Sequence, residues 1–136
     1  MSAACPLAVA LRDSLRVLVV DDNQDAADSL AMLLKLWGHK AEVAYGGPEA
    51  IDLAESFNPQ AIVMDICMNG MHGGELARHI RQESGVRGAL IIALTGHPPT
   101  DPRVVAWQEY FDVILGKPQG LSQIRELLMA RCATRT

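Results

Sequence analysis

Five short apolar runs, Val17 to Val20, Ala41 to Ala44, Ala61 to Met64, Ala89 to Leu94 and Val113 to Leu115, constrain the folding of this chain more than any other feature. Most are continuously apolar and rich in Val and Ile rather than alternating with polar residues. Strands of that kind are covered on both faces, so the runs predict a mainly parallel sheet between two layers. Between them, apolar residues recur at helical spacing. Ala27, Leu30, Ala31, Leu34 and Trp37 form one stripe that Gly38 terminates. Pro48 suits the first turn of a second helix that Pro59 closes, with Ile51 and Ala54 facing inward. Leu76, Ala77 and Ile80 mark a third helix. A weaker fourth begins at Pro102 and carries Val104, Val105 and Tyr110, and Leu121, Ile124, Leu127 and Leu128 give a fifth, ending in a frayed tail from Ala133.

Strand and helix alternating about every 20 to 28 residues, with right-handed crossovers, lead to an open sheet with helices on both faces. Five such units suit an α/β, flavodoxin-like (βα)5 fold, a doubly wound parallel five-stranded sheet in the order 2-1-3-4-5. The 136 residues fit one domain, expected over 15–132 between an N-terminal tail, 1–14, and a C-terminal tail, 133–136. A formal net charge of −4 argues against direct binding to nucleic acid or anionic lipid. Cys5, Cys67 and Cys132 are odd in number and lack CxxC spacing, which suggests neither a disulfide scaffold nor a zinc site and fits a reducing cytoplasm. The stretch Met1 to Leu11 has no basic start and is broken by Pro6, so it reads as a tail rather than a signal peptide. No apolar run reaches the roughly 18 residues that membrane insertion needs.

In a sheet of this order, ligands bind beyond the carboxyl ends of the strands, at the switch point between strands one and three. Strand one runs into Asp21 and Asp22, and strand three into Asp65. An acidic pair alone is as readily a solvated turn or a helix cap. Three carboxylates brought to one crevice are different, because they repel unless a cation compensates them. Oxygen-only ligands suit Mg²⁺, which keeps several waters and often bridges carboxylate to phosphate. Thr95 closes strand four with a hydroxyl, and Lys117, followed by Pro118, brings a cation after strand five. A carboxylate can accept a phosphoryl group covalently while metal and lysine balance charge on the transferring oxygens.

The runs Val17-Leu-Val-Val-Asp21-Asp22-Asn23, Ile62-Val-Met-Asp65-Ile-Cys-Met, Ala93-Leu-Thr95-Gly and Gly116-Lys117-Pro118 together resemble the receiver domain of two-component response regulators. The resemblance covers about residues 15 to 132, with five motif residues in order on successive strand ends. It implies that Asp65 is the phosphoacceptor, and that Asp22, Asp65 and the main-chain carbonyl of Cys67 ligate Mg²⁺ while Asp21 acts through water. It implies that Thr95 hydrogen-bonds the phosphoryl group, that Lys117 pairs with it, and that movement of the Thr95 loop alters the face formed by helix four, strand five and helix five. The donor would be a sensor histidine kinase or histidine phosphotransfer protein, and the receiver of the signal an unknown downstream protein. Self-association into a homodimer would use the same face. Such a domain is a switch with self-catalysed phosphoryl transfer and dephosphorylation rather than an enzyme acting on another substrate.

The chain also departs from the family pattern. Where the family usually reads Met-Pro-x-Met-Asp-Gly, this chain has Met68-Asn69-Gly70-Met71-His72-Gly73, and the position of a switching aromatic holds Ile114. Glu109-Tyr110-Phe111 replaces a common glycine before strand five, so unusual output geometry is expected. Cys67, through oxidation, and His97, near the path of a hydrolytic water, are candidate modulators. His72 and His97 read as exposed loop histidines, Trp37 and Trp107 as packing residues, and Arg78, Arg81 and Arg87 as a solvated face. A phosphorylation-deficient receiver serving as an interaction module is the nearest alternative. An aspartyl-nucleophile phosphatase would want a second acid where Cys67 stands, and a flavodoxin-like carrier would want a phosphate-cradling loop where Asp21-Asp22-Asn23 stands.

Overall fold

The computed structural model describes residues 14–66, 72–83, 88–98, 100–116 and 121–134. Among them are five strands, β1 (Arg16–Val20), β2 (Lys40–Ala44), β3 (Ala61–Asp65), β4 (Leu90–Thr95) and β5 (Val113–Gly116). All pair in parallel, in the order β2-β1-β3-β4-β5, as expected from the sequence. The helices are α1 (Gln24–Leu36), α2 (Gly47–Phe57), α3 (Gly73–Glu83), α4 (Pro102–Val105) and α5 (Leu121–Thr134), with a 3-10 turn at Gln108–Tyr110.

Alternate residues of the strands feed two cores, one on each face of the sheet. Leu18, Val20, Ile62, Met64, Ile91 and Ala93 pack with Ala50 and Ala54 of α2, Leu76, Ala77 and Ile80 of α3, and Val104 of α4. Val17, Val19, Ala61, Val63 and Ile92 pack with Ala27, Leu30, Ala31 and Leu34 of α1 and Ile124 and Leu128 of α5. This double coverage explains why the strands are apolar without alternation. The end of α1 also follows the sequence reading: Trp37 caps it and Gly38 takes φ +96°, a conformation that glycine adopts without cost.

Several local expectations need correction. In α2 Ala50 joins the expected Ala54 as a buried position, while Ile51 is half-buried and packs against the same core. The fourth helix is a single turn, and Trp107 lies between it and the 3-10 turn rather than inside it. Leu121, assigned to an inward stripe, is 48% exposed, as the first residue of α5. The same helix continues through Thr134, past the point where fraying was expected. Arg81 is not part of a solvated face: its guanidinium donates to the carbonyls of Ala89 (2.8 Å) and Tyr110 (3.3 Å) and pairs with Asp112, which also accepts the Ile91 N–H at 2.7 Å. Arg87 lies outside the described residues. No described helix is long and apolar enough to cross a membrane.

Candidate functional site

Strand register sets the geometry of the site. Val20 is level with Met64 across the β1–β3 ladder, so Asp21 and Asp65 come next at the same height on neighbouring strands. Asp65 is level with Leu94, and Thr95 follows on β4 opposite Gly116 of β5. The Asp21 N–H donates to the Ala44 carbonyl at 3.1 Å, and Asp21 Oδ1 accepts the Asn23 N–H at 2.9 Å. This turn presents Asp22 and lets Asn23 cap α1 by accepting the Ala26 N–H at 3.1 Å. Carboxylate oxygens of Asp21, Asp22 and Asp65 all lie within 4.8 Å of one another. Asp21 is buried and the other two are half-buried. Three anionic oxygens at that spacing, partly withdrawn from water, fit the donor set of a hard divalent cation.

Thr95 is buried, and its Oγ1 accepts the His97 N–H at 3.0 Å. Beyond it, Asp101 caps α4 by accepting the Arg103 N–H (2.8 Å) and also holds the Arg103 guanidinium at 2.9 and 3.1 Å. These hydrogen bonds hold the Asp101 carboxyl at about 2, below its ordinary 3.8. His97 Nδ1 lies 3.2 Å from Arg103 Nη2, so His97 is engaged in the loop rather than facing open solvent. Lys117 and Cys67 lie outside the described residues, although Gly116, the residue before Lys117, ends β5 level with Thr95. Ile114 is half-buried against the α2–α3 core.

Sequence reasoning missed the start of α3. The Gly73 N–H donates to the Ile66 carbonyl at 2.7 Å, and a Cβ on Gly73 would lie 2.4 Å from the Asp65 carbonyl oxygen. The helix therefore begins directly on the backbone of Asp65. His72, expected to be an exposed loop histidine, is half-buried: its Nδ1 accepts the Gly74 N–H at 2.9 Å and its Nε2 is buried. Burial pushes the His72 imidazole below its ordinary 6.5. The available signal was the Gly73-Gly74 pair opening a helix, where glycine costs helix propensity and so needs a packing reason.

An apolar groove of about 370 Å³ leads away from Asp21 and Asp65 along α1. Met32, Leu33, Leu36 and Leu121 are among its walls.

The sequence model of the response regulator receiver domain matches residues 17–129. Response regulator MprA of Mycobacterium tuberculosis is 35% identical over 112 residues, 82% of this chain and 47% of that protein. The chain thus spans about half the length of the curated relatives it matches. Response regulator TrrA of Thermotoga maritima, solved in complex with Mg(2+)-BeF, superposes with a TM-score of 0.69 at 28% identity, covering 85% of this chain and 97% of that one. The receiver domain of a Pseudomonas aeruginosa sensor histidine kinase, solved with magnesium in its active-site cleft, shares the fold at TM-score 0.77 and 24% identity, covering 89% of this chain and 99% of that one. Sheet order, the acidic cluster at the switch point and the match over most of the sequence agree, and the chain belongs to the response regulator receiver domains of two-component signalling.

Proposed function

We propose that this domain accepts a phosphoryl group on Asp65 and relays its presence to another protein. The observation that carries this reading is the convergence of three carboxylates within 4.8 Å at the end of β1 and β3, with the Thr95 hydroxyl closing the next strand. In the transfer, an Asp65 carboxylate oxygen attacks phosphorus, the bond from phosphorus to the donor's histidine nitrogen breaks, and that nitrogen keeps the electron pair. The product is an acyl phosphate. Mg²⁺, when bound, neutralises charge on the transferring oxygens. Asp22, Asp65 and the Cys67 carbonyl would hold it, with Asp21 acting through water. The Thr95 hydroxyl would donate to a phosphoryl oxygen, and Lys117, one residue beyond Gly116, would pair with another. Dephosphorylation is attack of water on phosphorus, which returns the Asp65 carboxylate.

The phosphodonor would be a histidine kinase or phosphotransfer protein in the cytoplasm. Its docking surface is the groove beside the site, where Met32 and Leu36 of α1 leave apolar side chains 65% and 76% exposed. The switch would act through the surface of α4, β5 and α5 on an unidentified downstream protein, and a homodimer would form through the same face.

Acetyl phosphate provides the test. Mg²⁺-dependent labelling of the wild-type chain is expected, with none on Asp65→Ala under the same conditions. Label persisting in that variant would mean that another residue is the acceptor.

A further inference from the structure

We propose that Trp107 transmits the state of the Asp65 site to α4, through its contact with the first turn of α3. This inference rests on the phosphoacceptor reading of Asp65. It starts from a close approach: a Cβ on Gly74 would fall 2.1 to 2.5 Å from three atoms of the Trp107 side chain, so the indole lies directly on the Gly74 backbone. The neighbouring residue, Gly73, rests just as closely on the carbonyl oxygen of Asp65. Two consecutive residues therefore separate the backbone of the acceptor from the tryptophan, with no flexible side chain between them.

Around this contact the indole is held on several sides. The His72 ring lies 5.9 Å from it, centroid to centroid, and the Tyr110 ring 6.1 Å. The Arg78 guanidinium stands over it at 5.9 Å, a distance at which a cation is attracted to the ring face. His72 Nδ1 accepts the Gly74 N–H, which puts the proton of the neutral ring on Nε2, a buried donor without a hydrogen-bond partner among the described residues.

The second arm of the site runs from Thr95 to α4, the helix that Trp107 follows in the chain. Thr95 Oγ1 accepts the His97 N–H, and the His97 ring contacts the Arg103 guanidinium. Asp101 ties that guanidinium to the start of α4. The helix is one turn long, and Trp107 follows one residue after its cap, Ala106. The two arms come together in the contact of Trp107 with Gly74, where a change in the distance between Thr95 and Asp65 would be felt. Coupling of this kind is reciprocal, so altering the contact must alter ligand affinity at the site.

The 136-residue chain carries two tryptophans, so Trp37→Phe leaves Trp107 as the sole reporter. Mg²⁺ and beryllofluoride are the probes, with bound fluoride followed by ¹⁹F NMR and the indole by emission. Trp107 emission should change with the same midpoint as the ¹⁹F signal. Gly74→Ala, which displaces the indole, and Trp107→Leu, which removes it, should each move that midpoint by at least about fivefold in the same direction. Trp107→Phe, which keeps a ring on Gly74, should stay closer to wild type than Trp107→Leu. Beryllofluoride bound with silent emission, or unmoved midpoints in variants shown folded by circular dichroism, overturns the proposal alone. No bound beryllofluoride in the folded wild-type chain overturns the Asp65 reading and the proposal with it.

Discussion

A methyl group on Gly73 would meet the Asp65 carbonyl oxygen at 2.4 Å and the Ile66 Cα at 2.9 Å. Both are backbone atoms, so neither can rotate away as a side chain would. Gly73→Ala should therefore cost about 1–3 kcal/mol, the range for forcing extra volume into a packed site. Urea unfolding measures it, with Gly88→Ala as the control, since nothing lies within 4 Å of a Cβ there. A near-neutral Gly73→Ala would mean that α3 does not rest on Asp65. Asp101 makes a different single-residue case. Its carboxyl titrates at about 2 when folded, against an ordinary 3.8, because the Arg103 side chain and amide donate to it. A depressed folded value means that the unfolded chain takes up the proton first, so the contribution is fully present above 3.8 and lost as pH falls through about 2. Urea midpoints measured from pH 5 downward should fall less steeply in Asp101→Asn than in wild type over that window.

At the scale of elements, α1 shows how much a local signal can specify. Asn23 accepts the Ala26 N–H, and replacing a cap of this type costs about 0.5–2 kcal/mol, so Asn23→Ala should lower stability by that amount while Asn23→Ser stays near wild type. Equal stability of the two variants would show that the cap is idle. The buried stripe of α1, its stop at Gly38 and the Leu76, Ala77 and Ile80 face of α3 were legible because helical period and core-facing surface coincide there. The fourth helix was poorly legible for a physical reason. One turn is too short to show a period, and although Asp101 and Arg103 bond locally, the packing of Trp107 on Gly74 joins residues distant in sequence. Arg81 was misread for the same reason, since its partners Ala89, Tyr110 and Asp112 lie 8, 29 and 31 residues away.

For the molecule as a whole, the site was legible where the fold delivers it. Asp21, Asp22, Asp65 and Thr95 follow strands whose register brings their ends level, so a rule about strand ends was enough to select them. The contact of Gly74 with Trp107 crosses from α3 to the segment after α4, and no pattern in either segment announces it. A cation held by the acidic cluster, as proposed, would make the stability of the entire domain depend on it. Two unit charges about 5 Å apart repel by up to roughly 3 kcal/mol at an effective dielectric constant of 20, and Asp65 faces two such neighbours. In chelator, Asp65→Asn should therefore melt at a higher temperature than wild type, because one repelling charge is gone. Mg²⁺ should reverse the order. A ligand at a hundred times its dissociation constant stabilises a folded domain by about 2.7 kcal/mol, and the wild-type chain should gain on that scale. Asp65→Asn should gain much less, having lost one of the oxygen anions that would hold the ion. Scanning calorimetry with and without Mg²⁺ reads both differences. Midpoints that keep the same order in both buffers would show that the three carboxylates do not act as a metal site.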